Sequence, residues 1–110
     1  MHEPTIESTW QPAASALLAP PLTHPAQVPN AVATLFASVP AGKSYAWHLF
    51  VHAGHLGIQP GCHHVPTAYF VRRVTLDGMT SGFTARTWCN LTIRIAKLLW
   101  PNLDWSHATA

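Results

Sequence analysis

The segment Tyr45 to His52 reads YAWHLFVH and contains the clearest strand pattern in the chain. Tyr45, Trp47, Leu49 and Val51 fall at every second position, and the positions between them include His48 and His52. Successive side chains of a strand point to opposite faces, whereas a helix repeats every 3.6 residues. The alternation therefore predicts a β-strand with one apolar face, and the other elements are placed relative to it.

A helical pattern precedes this strand. Four apolar residues recur at i, i+3, i+4 and i+7, which is the spacing of one helix face; they are Val32, Leu35, Phe36 and Val39. Asn30 is a suitable N-cap and Pro40 a stop signal. We expect an amphipathic helix at residues 31–39.

The region after the first strand predicts a loop and a second strand. The loop is indicated by closely spaced breakers, namely Gly54, Gly57, Pro60 and Gly61. Residues 67–76 (TAYFVRRVTL) are rich in β-branched and aromatic residues, which favours a strand. Asp77-Gly78 follows as a hairpin turn signal.

Residues 83–95 fit two patterns. Their alternation predicts a third strand, and four β-branched residues between Thr87 and Ile95 favour it. The competing interpretation is a helix whose apolar face contains Trp88, Leu91, Ile95, Leu98 and Leu99.

The start of the chain is rich in proline. Residues 1–29 hold six of the ten prolines, which remove backbone donors and predict an extended arm, with room for one helical turn within residues 11–19. Residues 30–110 then form the core domain. The predicted fold is a small single α+β domain with one amphipathic helix packed on an antiparallel sheet of three or more strands.

The composition indicates association. Only 9% of the residues are charged, against about 25% in an average domain, while 48% are hydrophobic and five are Trp. Obligate interfaces are depleted in charge and enriched in aromatic residues. We therefore predict a non-enzymatic structural or interaction subunit of a homo-oligomer or larger assembly, such as a virion, in which the arm lies along a neighbouring subunit.

Location and thiol state follow from what the sequence lacks. No apolar run approaches the roughly 18 residues of a membrane-spanning helix, and residues 1–10 contain no basic residue of the kind that starts a secretory signal. We expect a cytoplasmic location or one within a particle. Cys62 and Cys89 are then expected to be reduced and largely buried, with Cys89 on the core face.

A histidine-rich segment suggests a metal site. Six side chains that can bind zinc or copper fall within seventeen residues; they are His48, His52, His55, Cys62, His63 and His64. A general base is not found nearby, because the four carboxylates of the chain are scattered at Glu3, Glu7, Asp77 and Asp104. A metal-binding domain is therefore one alternative function, without a catalytic role.

Basic residues suggest a second alternative. Between Val65 and Lys97 five residues are basic and only Asp77 is acidic. If residues 83–95 form a strand, one sheet face presents Arg86, Trp88, Asn90 and Arg94 beside the basic pair Arg72 and Arg73. Arginine and tryptophan on a sheet suit phosphate contact and base stacking, but they are equally favoured at subunit interfaces. Both a nucleic-acid partner and a protein partner stay open, and the chain-wide shortage of charge favours the interface.

Overall fold

The computed structural model describes residues 10–40, 45–75 and 83–102, and it has the predicted α+β architecture. The strands are β1 (Leu17–Leu18), β2 (Ala46–His52), β3 (His55–Pro60) and β4 (Phe70–Thr75), and the helices are α1 (Val28–Ala37) and α2 (Ala85–Leu99). The strands form one antiparallel sheet in the order β1-β3-β2-β4. Within the described part of the chain, no helix is long and apolar enough to cross a membrane.

Both helices contribute to a single core with one face of the sheet. Trp47, Leu49 and Val51 of β2 are buried there, as the alternation predicts. They share the core with Val32 of α1 and Ile95 of α2. The opposite face of β2 carries His48, Phe50 and His52, and it is called the outer face below.

The predicted loop after β2 is wrong, because residues 55–60 form a strand. Ala53 and Gly54 have φ angles of 52° and 81°, the left-handed conformations that a two-residue hairpin turn of type I′ requires at both positions. Gly57 is an interior residue of β3 rather than a breaker. A Cβ added at Gly57 would lie 2.6 Å from Leu18 Cδ2 and 2.7 Å from Phe50 Cζ, so the absence of a side chain lets these two residues approach.

The second predicted strand is confirmed as β4. It pairs with β2, with a register shift between Leu49 and Phe50. The turn predicted at Asp77-Gly78 lies outside the described residues.

The strand predicted at residues 83–95 is wrong, and the competing helix is correct. Thr84 begins α2 as its N-cap, and its Oγ1 accepts a hydrogen bond from the Thr87 N–H at 3.2 Å. Leu91, Ile95 and Ala96 are buried on one side of the helix. Burial of this apolar face outweighs the β preference of the threonines and isoleucines, since helix stability in proteins comes mostly from packing.

Helix α1 begins earlier than predicted. Gln27, not Asn30, is its N-cap residue, and the helix ends at Ala37. A 3₁₀ turn at Pro25–Gln27 leads into it, and Pro29 lies in the first turn, where the missing N–H carries no penalty. Val28 is fully buried and extends the apolar face by one turn.

The structure does not confirm residues 10–27 as an extended arm. Leu17 and Leu18 pair with Ile58 and Gly57 of β3, so this segment supplies an edge strand. The Ala19 N–H also donates to the Leu56 carbonyl at 2.8 Å. Residues 1–9 lie outside the described ranges, and the division into domains at residue 29 stays a prediction.

Gln59 joins this N-terminal segment to the sheet. The side chain is 1% exposed, and its Oε1 accepts the Ala13 N–H at 2.8 Å. Its Nε2 donates to the carbonyls of His63 and His64, at 3.4 Å each. One buried amide thus joins β3 both to the N-terminal segment and to the loop that follows β3.

Replacing this amide should destabilise the protein. We expect Gln59→Leu to lower the free energy of unfolding by about 2 to 3 kcal/mol, because each buried group left without a partner costs roughly 1–3 kcal/mol. Urea unfolding followed by circular dichroism measures the change. Gln11→Leu, at an exposed glutamine, is the matched control and should stay within about 0.5 kcal/mol of wild type. Equal stability of the two variants would contradict the role of Gln59.

Candidate functional site

The three strand histidines of the predicted metal site bond to backbone carbonyls. His48 Nδ1 donates to the His63 carbonyl at 3.0 Å, and His52 Nε2 donates to the Trp10 carbonyl at 3.1 Å. His55 Nδ1 donates to the Ala19 carbonyl at 2.9 Å. These rings therefore fasten the N-terminal segment and the loop after β3 to the sheet.

The remaining predicted ligands, Cys62, His63 and His64, are exposed in the loop that follows β3. Among the residues that the structure describes, no three His, Cys, Asp or Glu side chains are grouped so that they could hold a metal ion. The expected zinc or copper site thus has no support from the described geometry.

The expectation of buried cysteines is wrong. Both Cys62 and Cys89 are exposed, and no disulfide joins them. Cys89 lies on α2 away from the core because the segment is helical, whereas a strand would place it on the core face.

The predicted Arg/Trp sheet face is also wrong, because its residues lie on a helix. Trp88 is half-buried and packs edge-on against Phe83, with ring centroids 4.8 Å apart. Arg86, Asn90 and Arg94 follow one another every four residues on the other side of α2. The helix separates the tryptophan from the arginines, so they do not form a joint surface for stacking and phosphate contact.

Arg72 and Arg73, the basic pair of β4, also have different surroundings. The Arg72 guanidinium lies over the Phe83 ring, 5.4 Å from its centroid. Arg73 is exposed and pairs in register with His48 of the outer face. In the described ranges every charged residue is basic, namely Arg72, Arg73, Arg86, Arg94 and Lys97. This part of the molecule therefore has a positive surface.

A different site lies at the end of the sheet where β2 begins, around Tyr45. The Tyr45 side chain is 45% exposed and stacks on Trp47, with ring centroids 5.6 Å apart and planes 14° from parallel. Two cavities adjoin it. One of about 280 Å³ is lined by Ser15, Leu17, Pro40, Tyr45, Trp47 and Pro60. The other, of about 510 Å³, is lined by Tyr45, Ala46, Gly61, Cys62 and Arg73.

We call these two cavities and their lining residues the Tyr45 site. Trp47 is only 3% exposed, and its indole Nε1 has no hydrogen-bond partner within the described residues. A buried donor without a partner is unfavourable by about 1–3 kcal/mol. The smaller cavity is thus a mainly apolar space bordered by Trp47, whose Nε1 is itself buried, and the lining of the larger cavity includes Arg73.

Sequence reasoning missed this site. The i, i+2 spacing of Tyr45 and Trp47 places them on one strand face, and this signal was present in the alternation. The remaining walls come from residues 15–17, 40 and 60–62, which are far apart along the chain.

Comparison with known proteins identifies no relative of this chain. No model of a known protein family matches the chain, and neither a curated protein nor a solved structure is significantly similar to it.

The position of the arginines on a helix leads to a prediction about nucleic-acid binding. We expect the wild type to show no salt-sensitive binding to single-stranded RNA or DNA at physiological salt, since no exposed tryptophan among the described residues accompanies Arg86 and Arg94. Fluorescence anisotropy with labelled oligonucleotides measures this. If binding is found, Arg86→Gln with Arg94→Gln should weaken it and reduce the slope of log K against log salt by about two. That result would restore the nucleic-acid alternative.

Proposed function

We propose that the chain is a non-enzymatic structural or interaction subunit that associates with copies of itself or with other subunits of a larger assembly, of which a virion is one example. The observation that carries this proposal is the exposure of large apolar side chains on a protein with few charges. Leu18, Tyr45 and Leu98 are 50%, 45% and 41% exposed, and only 9% of the chain is charged.

The tryptophans support this proposal less than their number suggests. Trp47 is buried in the core of its own chain, and Trp10, Trp88 and Trp100 are half-buried. Trp10 stacks on Tyr69 with centroids 5.0 Å apart. These rings contribute to intrachain packing, so the apolar surface that remains for a partner is centred on residues such as Tyr45.

The sheet edges are less suitable for association. β4 is an edge strand of the described sheet, but Arg72, Arg73 and the irregular pairing near Phe50 are the features by which proteins prevent edge-to-edge pairing. β1, at the other edge, has only two residues. Side-chain contacts at exposed apolar positions therefore fit the proposed association better than addition of a strand.

The two alternative functions have weaker support. The metal alternative lacks a convergent group of ligands among the described residues, since the three strand histidines bond to carbonyls. The nucleic-acid alternative retains Arg86 and Arg94 on α2. Trp88, however, packs half-buried against Phe83 on the other side of the helix, so it does not lie beside them for base stacking.

Association should be visible as an increase in mass with concentration. We expect sedimentation velocity of the wild type in the micromolar range to show species of at least twice 12.0 kDa. Raising the salt concentration to 0.5 M should not dissociate them, because salt screens charges but strengthens or leaves unchanged apolar contacts. A 12.0 kDa species at every concentration, with no partner co-purifying from the native source, would overturn the proposal.

A further inference from the structure

We propose that the Tyr45 site binds residues 1–9 of a second copy of the chain, in an extended conformation that places the Glu3-Pro4 pair against Tyr45 and Trp47. This inference rests on the proposed self-association and specifies the contact that produces it.

The walls of the smaller cavity suit a proline. Tyr45 and Trp47 provide stacked aromatic rings, and Pro40, Pro60 and Leu17 complete an apolar surface. Proline-rich segments are commonly recognised by aromatic-lined grooves, because their extended conformation is formed before binding and little entropy is lost.

The charges select residues 1–9 from the other proline-containing segments. All charged residues in the described ranges are basic, and Arg73 lines the larger cavity next to Tyr45. Residues 1–9 read MHEPTIEST and contain Glu3 and Glu7 but no Lys or Arg. Glu3-Pro4 is the only position in the sequence where a carboxylate residue adjoins a proline.

The course of the chain favours a second copy over the chain's own segment. Trp10 packs against His52 and Tyr69, at the end of β2 opposite Tyr45. The seven residues of β2 span about 20 Å. To reach its own Tyr45 site, the segment would have to cross an outer face that residues 10–13 already occupy through Trp10 and the Ala13–Gln59 hydrogen bond. A neighbouring copy has no such obstacle.

The test uses complementary defects in the full-length chain. One variant carries Glu3→Gln, Pro4→Ala and Glu7→Gln, which alters the segment and leaves the site intact. The other carries Tyr45→Ser, which alters the site at an exposed residue and leaves the segment intact. We expect each variant alone to self-associate at least about tenfold more weakly than wild type in sedimentation velocity. An equimolar mixture should recover a heterodimer, because the intact segment of one variant meets the intact site of the other.

Two further variants separate this contact from general apolar association. Leu98→Ser removes a comparably exposed apolar side chain from α2 and should weaken self-association less than Tyr45→Ser does, because Leu98 does not line the Tyr45 site. Arg73→Gln removes the cation that lines the larger cavity, and it should weaken association by up to about fivefold, the effect of losing one exposed charge pair. Thermal unfolding of each variant confirms that it is folded.

The outcomes distinguish this inference from the proposed function. If the wild type associates and both complementary variants associate equally well, the Tyr45 contact is wrong while self-association stands. If each variant is weakened but the mixture does not recover, binding between copies through this segment is overturned. If the wild type is a monomer throughout, both the proposed function and this contact fail.

Discussion

The arrangement of the outer face depends on the hydrogen bonds of the buried Gln59 carboxamide. It accepts from Ala13 on one side and donates to the carbonyls of His63 and His64 on the other. A carboxamide is suited to this position because it carries a donor and an acceptor at one site. Ala13 lies two residues before Ser15, and His63 directly follows Cys62. Ser15 lines the smaller cavity of the Tyr45 site, and Cys62 lines the larger one. The shape of the candidate site thus follows from a hydrogen-bond network placed behind it.

The histidines show how composition can suggest the wrong chemistry. Six potential ligands in seventeen residues resemble a metal site when only the sequence is considered. In the folded chain, His48, His52 and His55 each direct a ring nitrogen to a main-chain carbonyl of a distant segment. Imidazole is useful here as a rigid donor that joins an irregular segment to a strand.

The surface combines few charges with a single sign of charge in the described ranges. A basic surface of this kind does not repel acidic partners. It also exposes several apolar side chains, among them Tyr45 and Leu98. Apolar contact would provide affinity, while Arg73 would provide selectivity for an acidic segment.

The sequence by itself determined the elements whose periodicity is unambiguous. The alternation of residues 45–52 specified β2, and the helical spacing around Val32 specified the buried face of α1. Residues 83–95 satisfied both periods, and only burial of Leu91 and Ile95 against the sheet decided for the helix. The strand β3, the attachment of residues 10–19 and the Tyr45 site were decided by tertiary structure alone. Periodicity is a local property of the chain, whereas edge pairing, hydrogen bonds such as Ala13–Gln59 and cavity walls join residues about forty positions apart.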